Sequence, residues 1–106
     1  MPAYALYTDP AAFGSPARYA VLRYPSEHAR AAALKRFSDG QDAARRIRAE
    51  GHIIPACLPT PSETVEPVAE SVAARICYAA ARVLNTGFID WAYTRYADAD
   101  AALYFN

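Results

Sequence analysis

Short apolar and aromatic segments bounded by turn-forming residues occur near the start of the chain. Residues 3–7 are apolar or aromatic and are soon followed by Asp9 and Pro10. Residues 18–24 have a similar character and are followed directly by Pro25. Proline and short polar residues commonly terminate strands. Both segments are therefore predicted to be strands, which could pair as a hairpin.

The pattern then changes to the spacing and alanine content of helices. Ser26 is a suitable N-cap for a helix that continues to Phe37. Ser38 and Gln41 have the spacing of a capping box, which indicates a second helix start. The region is predicted to form two helices with a kink. The alternative is a strand over residues 29–37 followed by one helix.

A proline-rich stretch separates this region from a long helical pattern. Residues 52–58 are predicted to be a third strand, which Pro55 restricts to a sheet edge or bends. Apolar residues then recur every three or four positions over residues 65–84, which predicts the main core helix. Thr64 is its predicted cap, and Pro67 is tolerable in its first turn.

The C-terminal part is less regular. Residues 88–96 suggest a short final helix, and residues 101–105 resemble the first strand or an apolar tail. The predicted fold is α+β, with a small antiparallel sheet of about three strands, a C-terminal fourth being an alternative, packed against two to four helices. A single domain is expected, basic and β-rich over residues 1–58, acidic and helical over residues 60–106.

Charge is balanced overall but unevenly distributed. The 106 residues carry 11 basic and 11 acidic side chains, which argues against a general nucleic-acid coat or a membrane-surface protein. Residues 18–50 contain eight basic and four acidic residues, and residues 51–106 contain three and six. No apolar run approaches the ~20 residues of a membrane helix. The N-terminus lacks a signal-peptide pattern, so a cytoplasmic location is expected.

Side chains suited to catalysis are few. His28, His52, Cys57 and Cys77 make up the whole histidine and cysteine content, and their spacing does not match a zinc site. The four glycines are scattered and form no phosphate-binding loop. No catalytic residue, metal or cofactor is predicted. An enzyme that uses Cys57 with His52 remains as a minor alternative.

Arginine and tyrosine residues supply the candidate binding surface, because both are common in interface hot spots. The simplest interpretation of the arginines is a solvated helix face paired to neighbouring acids. The leading functional hypothesis is a non-catalytic protein-binding module, such as a small phage- or mobile-element-type inhibitor of a larger bacterial protein or nucleoprotein complex, as anti-CRISPR proteins are. A nucleic-acid-binding accessory protein that uses the surface of residues 18–48 is the main alternative. Homodimer formation through residues 103–105 is left open. The predicted partner-binding residues are Arg18, Arg23, Tyr24, Arg45, Arg46, Arg48, Tyr78, Arg82 and Trp91.

Overall fold

The chain forms an α+β fold with four strands and two helices in its described part. The computed structural model describes residues 1–10, 14, 16–83 and 98–105, with the backbone alone described over residues 80–83. The elements, in chain order, are β1 (Ala3–Asp9), β2 (Arg18–Tyr24), α1 (Glu27–Ala49), β3 (Thr64–Val68), α2 (Glu70–Val83) and β4 (Ala101–Phe105).

The strands form one sheet in the order β3-β1-β2-β4, and all neighbours are antiparallel. The predicted pairing of the first two strands is confirmed, with Ala5 opposite Leu22. The C-terminal segment adds the fourth strand, because Ala102 lies opposite Leu22 on the other side of β2. Strands β3 and β4 are therefore the two edges of the sheet.

Each face of the sheet is covered by one helix, which gives three layers. Alternate residues of a strand point to opposite faces. Leu22 and Tyr24 pack with Ala33 of α1 on one face. Val21 packs with Ala73 and Cys77 of α2 on the other. The many alanines in both clusters have short side chains, so the helices can approach the sheet closely.

Helix α1 is continuous from Glu27, so the predicted break at residues 38–41 is wrong, as is the strand alternative for residues 29–37. Ser26 is the N-cap, and its hydroxyl accepts from the Ala29 amide at 3.1 Å. Phe37 and Ala44 are both buried, and they lie seven residues apart on the face that packs inward. Tertiary packing across the expected break holds the helix together, and Gln41 bonds to a distant loop instead of to Ser38.

Residues 52–58 do not form the predicted strand. The segment has no regular secondary structure, and the Leu58 amide bonds to the Pro55 carbonyl at 3.1 Å in a tight turn. Pro55 and Pro59 have no backbone N–H to donate to a neighbouring strand. At the start of the segment the His52 amide donates to the Ile47 carbonyl of α1 at 3.1 Å.

The long predicted helix is confirmed over Glu70–Val83 but starts later than expected. Residues 64–68 form strand β3, because Val65 pairs opposite Tyr7 and Val68 opposite Tyr4. Pro67 fits equally well in the first turn of a helix or in an edge strand. In the structure Pro67 lies in the edge strand β3.

The predicted helix at residues 88–96 lies outside the described residues. Among the helices described, none is long and apolar enough to cross a membrane.

Candidate functional site

A cleft of about 510 Å³ lies between helix α1 and the segment of residues 54–60. Ala33, Arg36 and Phe37 contribute the helical wall, and Glu63 and Asp98 also line the cleft. The opposite wall is mostly apolar and contains residues 54–60, namely Ile54, Pro55, Ala56, Cys57, Leu58, Pro59 and Thr60. Ile53, directly before this wall, is 93% exposed. Ile53 and the wall of residues 54–60 together expose apolar side chains to solvent.

The wall is fixed to α1 by one side chain and one close backbone approach. The amide nitrogen of Gln41 donates to the Thr60 carbonyl at 3.0 Å and also to the Glu63 carbonyl. Pro59 packs so closely on Gly40 that a Cβ there would lie 3.0 Å from the proline Cδ. The glycine in mid-helix, which costs helix stability on its own, therefore permits the contact that shapes the cleft.

A buried hydrogen-bond network anchors the end of the same wall. Glu63 is 9% exposed, and its Oε2 accepts from the Tyr7 hydroxyl at 3.0 Å. Its Oε1 accepts from the Thr60 amide at 3.1 Å and from the Thr60 hydroxyl at 3.0 Å. Burial of the Tyr7 hydroxyl, together with the neighbouring Glu63 carboxylate, raises the pKa of Tyr7 well above its usual 10.0. The carboxylate is thus satisfied by internal donors, which locks the loop to strand β1.

One ion pair lies at the rim of the cleft. The Arg36 Nε is 2.7 Å from the Asp98 Oδ2, and the two side chains are 61% and 54% exposed. A second pair joins Arg23 and Asp100, with 3.8 Å between Nε and Oδ1. The basic middle of the chain and its acidic C-terminal part are therefore partly paired with each other. Exposed pairs of this kind contribute only ~0–1 kcal/mol to stability.

The arginines of α1 are exposed near its C-terminal end. Arg45 pairs with Asp42 at 2.9 Å. Arg46 and Arg48 are exposed and make no ion pair with any residue in the described part of the chain. Their position in the last turn is favourable for the helix dipole without any partner.

Of the other predicted binding residues, Arg18 lies at the same end of the sheet as these arginines and Arg23 lies at the other end. Arg30 donates to the Tyr4 and Val68 carbonyls at 2.8 and 3.3 Å, which places the start of α1 at that end of the sheet. The end of α1 therefore lies towards the opposite end, where β2 begins with exposed Arg18. Arg23 lies at the end where α1 starts.

Tyr24 is a correction to the predicted site. Its side chain is fully buried beside Leu22, so it belongs to the core and is not available to a partner. Tyr78, in contrast, is 65% exposed on α2, on the face of the sheet opposite α1. The Arg82 side chain and Trp91 lie outside the described residues.

The histidines and cysteines are dispersed. Cys57 is exposed in the cleft wall, and Cys77 is buried against the sheet, where desolvation raises the pKa of its thiol. His28 and His52 are both exposed. No three histidine, cysteine or acidic side chains lie close enough together to hold a metal ion among the residues that the structure describes.

The cleft was not predicted from the sequence, although one signal for it existed. The prolines at 55, 59 and 61 restrict the backbone of this segment, but only the contact with α1 makes the segment one wall of a cleft. Comparison of the chain with protein-family models, with curated proteins and with solved structures finds no match.

Proposed function

We propose that this chain is a non-catalytic protein-binding module that engages a larger protein or nucleoprotein complex through the α1 cleft. The observation that supports the proposal is a cleft with one mostly apolar wall, whose polar residues Thr60 and Glu63 are already bonded internally. Recognition sites for side chains are typically concave, largely apolar and preformed.

The chemistry of the cleft favours binding over catalysis. The oxygens of Glu63 accept three hydrogen bonds from Tyr7 and Thr60. A general acid or base must instead reach the proton that it transfers. The part of the cleft left for a partner is the apolar wall and the Arg36–Asp98 pair.

The exposed Ile53, beside the apolar wall, gives the proposal a specific anchor. Ile53 exposes almost all of its side chain, and covering a side chain of this size stabilises a complex by ~1.5–3 kcal/mol. A partner that buries Ile53 and inserts an apolar side chain into the cleft would gain from both. The class that we propose is a small phage- or mobile-element-type inhibitor of a larger bacterial complex, as anti-CRISPR proteins are, and a cytoplasmic site of action belongs to the same proposal.

The test is affinity purification of tagged protein from bacterial lysate, with and without nuclease, read by quantitative mass spectrometry. The wild type is compared with Ile53→Asp, which alters the cleft rim, and with Tyr78→Ser, which alters an exposed site on the opposite helix. We expect a stoichiometric protein that survives nuclease and is lost only with Ile53→Asp. Loss with Tyr78→Ser alone would move the contact to α2, and the absence of any stoichiometric protein would contradict the proposal.

A nucleic-acid-binding function is the second candidate, and it is favoured by Arg46 and Arg48, which are exposed and make no ion pair among the residues that the structure describes. Binding through these arginines and Arg45 should weaken steeply with salt, because phosphate contacts release counterions. Fluorescence anisotropy with labelled single- and double-stranded oligonucleotides at two salt concentrations tests it. The triple change Arg45→Ala, Arg46→Ala, Arg48→Ala should abolish the signal. Salt-insensitive or absent binding by the wild type would exclude this function.

A further inference from the structure

The segment of residues 52–63, which we call the strap, connects α1 to β3 and contains the apolar wall of the cleft. Glu63 is its only buried residue. Six of the other residues are exposed, and the remaining five are half-buried. Burial of apolar surface is the dominant force that holds elements of a fold together. This force therefore contributes little to holding the strap in place.

The backbone of the strap is bonded mainly within the strap. The Leu58 amide donates to the Pro55 carbonyl at 3.1 Å, and the Glu63 amide donates to the Thr60 carbonyl at 3.2 Å. Apart from the bond at its first residue, no backbone–backbone hydrogen bond joins the strap to another element in the described part of the chain. The strap can therefore leave α1 without breaking a helix or a strand ladder.

Side chains supply the contacts that hold the strap to the rest of the fold. The Gln41 side chain donates to two strap carbonyls, and the Tyr7 hydroxyl donates to the Glu63 Oε2 at 3.0 Å. Pro59 packs closely on Gly40 of α1. Segments with few buried apolar contacts and exposed backbone open more easily than the core of a protein. The few contacts of the strap therefore determine how easily it opens.

We propose that the strap opens as a unit while α1 and the sheet stay folded, and that the hydrogen bonds from Gln41 and Tyr7 are its latch. The strap begins after Gly51, whose φ of 83° lies in the left-handed region that favours glycine, and it ends where β3 begins at Thr64. The cleft exists only in the closed state, because the strap supplies one of its walls. The latch therefore sets the fraction of molecules that present the cleft.

The significance of the opening for binding rests on the proposed function, whereas the opening itself does not. A partner that occupies the cleft binds only the closed state, so it should suppress opening. The opening is measured on the chain alone. Its absence would therefore leave the protein-binding proposal intact, and the absence of a partner would leave the opening of the strap intact.

Hydrogen exchange of the native protein, resolved by amide with NMR, measures the opening. The hydrogen-bonded amides of Leu58, Thr60 and Glu63 report on the strap, and the slowest amides of β1 and β2 report on the sheet. A protection factor compares the exchange rate of each amide with its rate in an unfolded chain. We expect protection factors at least about tenfold lower in the strap than in the sheet.

One variant separates opening of the strap from unfolding of the whole protein. Ser26→Ala removes the cap of α1, which lies outside the strap. It should lower the protection of the sheet amides by about twofold to thirtyfold and leave that of the strap amides unchanged. If the strap amides are as protected as the sheet and lose as much protection in Ser26→Ala, the strap opens only on global unfolding and the proposal is overturned.

Two variants test the latch. Gln41→Leu should lower the protection of the strap amides by at least about fivefold, because it removes two hydrogen bonds, and Tyr7→Phe by at least about tenfold, because it removes a bond to a charged group. Ser38→Ala, an exposed change on the same helix, is the control and should change neither set of amides by more than about twofold. Strap protection that is unchanged in both latch variants would overturn the assignment of the latch.

Discussion

The buried hydrogen bond between Tyr7 and Glu63 allows the sharpest stability prediction. Tyr7 is 7% exposed, and its hydroxyl lies 3.0 Å from the Glu63 Oε2. The change Tyr7→Phe removes this hydroxyl and keeps the ring, so it opens no cavity of consequence. The effect measured is therefore mainly the loss of one buried hydrogen bond to a charged group.

The expected magnitude follows from the nature of the acceptor. A hydrogen bond to a charged group contributes about 1.5–3 kcal/mol, and Glu63 loses one of the three bonds that satisfy it. The free energy of unfolding of Tyr7→Phe should fall by about this amount. For a domain near 100 residues this corresponds to a decrease in Tm on the order of 10 °C.

Urea denaturation at neutral pH, followed by circular dichroism, measures the change. Glu63→Gln and the double variant complete a thermodynamic cycle, and a coupling energy of about 1 kcal/mol or more is expected because the two side chains are in contact. Tyr78→Phe is the matched control, since its ring is exposed, and should change stability by less than about 0.5 kcal/mol. A Tyr7→Phe protein as stable as the wild type, or a strictly additive double variant, would refute the assigned role of this bond.

Three further results are expected. Ser26→Ala should destabilise the protein by about 0.5–2 kcal/mol because it removes the cap of α1, whereas Ser38→Ala, within the continuous helix, should cost about 0.5 kcal/mol or less in the same denaturation assay. Burial, and secondarily the negative charge of Asp98, raises the pKa of Tyr24 to about 12. The unfolded chain therefore loses this proton first, so stability should fall between pH 10 and 12, less steeply in Tyr24→Phe by up to about 1.4 kcal/mol per pH unit. A thiol reagent should modify Cys57 quickly and Cys77 only after urea is added; two rapidly reacting thiols would contradict the burial of Cys77.

Local signals predicted the element boundaries that depend on neighbouring residues. Strand β2 begins and ends as predicted at Arg18 and Tyr24, since Pro25 limits it directly. The N-terminus of α1 was also predicted, because its cap depends only on Ser26 and the amide three residues later. Both signals lie within a few residues of the boundary that they determine.

Contacts between distant residues overrode local signals elsewhere. The spacing of Val65, Val68 and Val72 fits a helix, yet the first two lie in a strand because β1 supplies a ladder for them. The capping-box pattern at Ser38 predicted a second helix start, which is wrong for the same reason. The Gln41 side chain bonds to the carbonyl of Thr60, 19 residues away, and not to Ser38. Strand β1 and Thr60 both lie too far along the chain for a local sequence pattern to indicate these contacts.

The candidate site was less predictable than the fold. Residue type makes Tyr24 a candidate for binding, but its side chain points to the same face of the sheet as Leu22, and that face is in the core. The cleft depends on Pro59 meeting Gly40 and on Gln41 reaching the loop. Because these contacts join segments about 20 residues apart, residue types alone did not indicate them.

The same contacts connect the stability of the fold to the shape of the cleft. Gln41, Thr60 and Glu63 are polar residues at or beside the cleft, and the hydrogen bonds that they make hold the wall in place. In the proposed function, the apolar wall is the surface that a partner would cover, and the exposed Arg36–Asp98 pair is the charged feature that would orient the partner. Affinity should arise from burial at the wall and at Ile53, and specificity from the rim charges. The hydrogen bonds from Gln41 and the contact of Pro59 with Gly40 hold the wall before any partner is present, and a preformed surface loses less conformational entropy on binding.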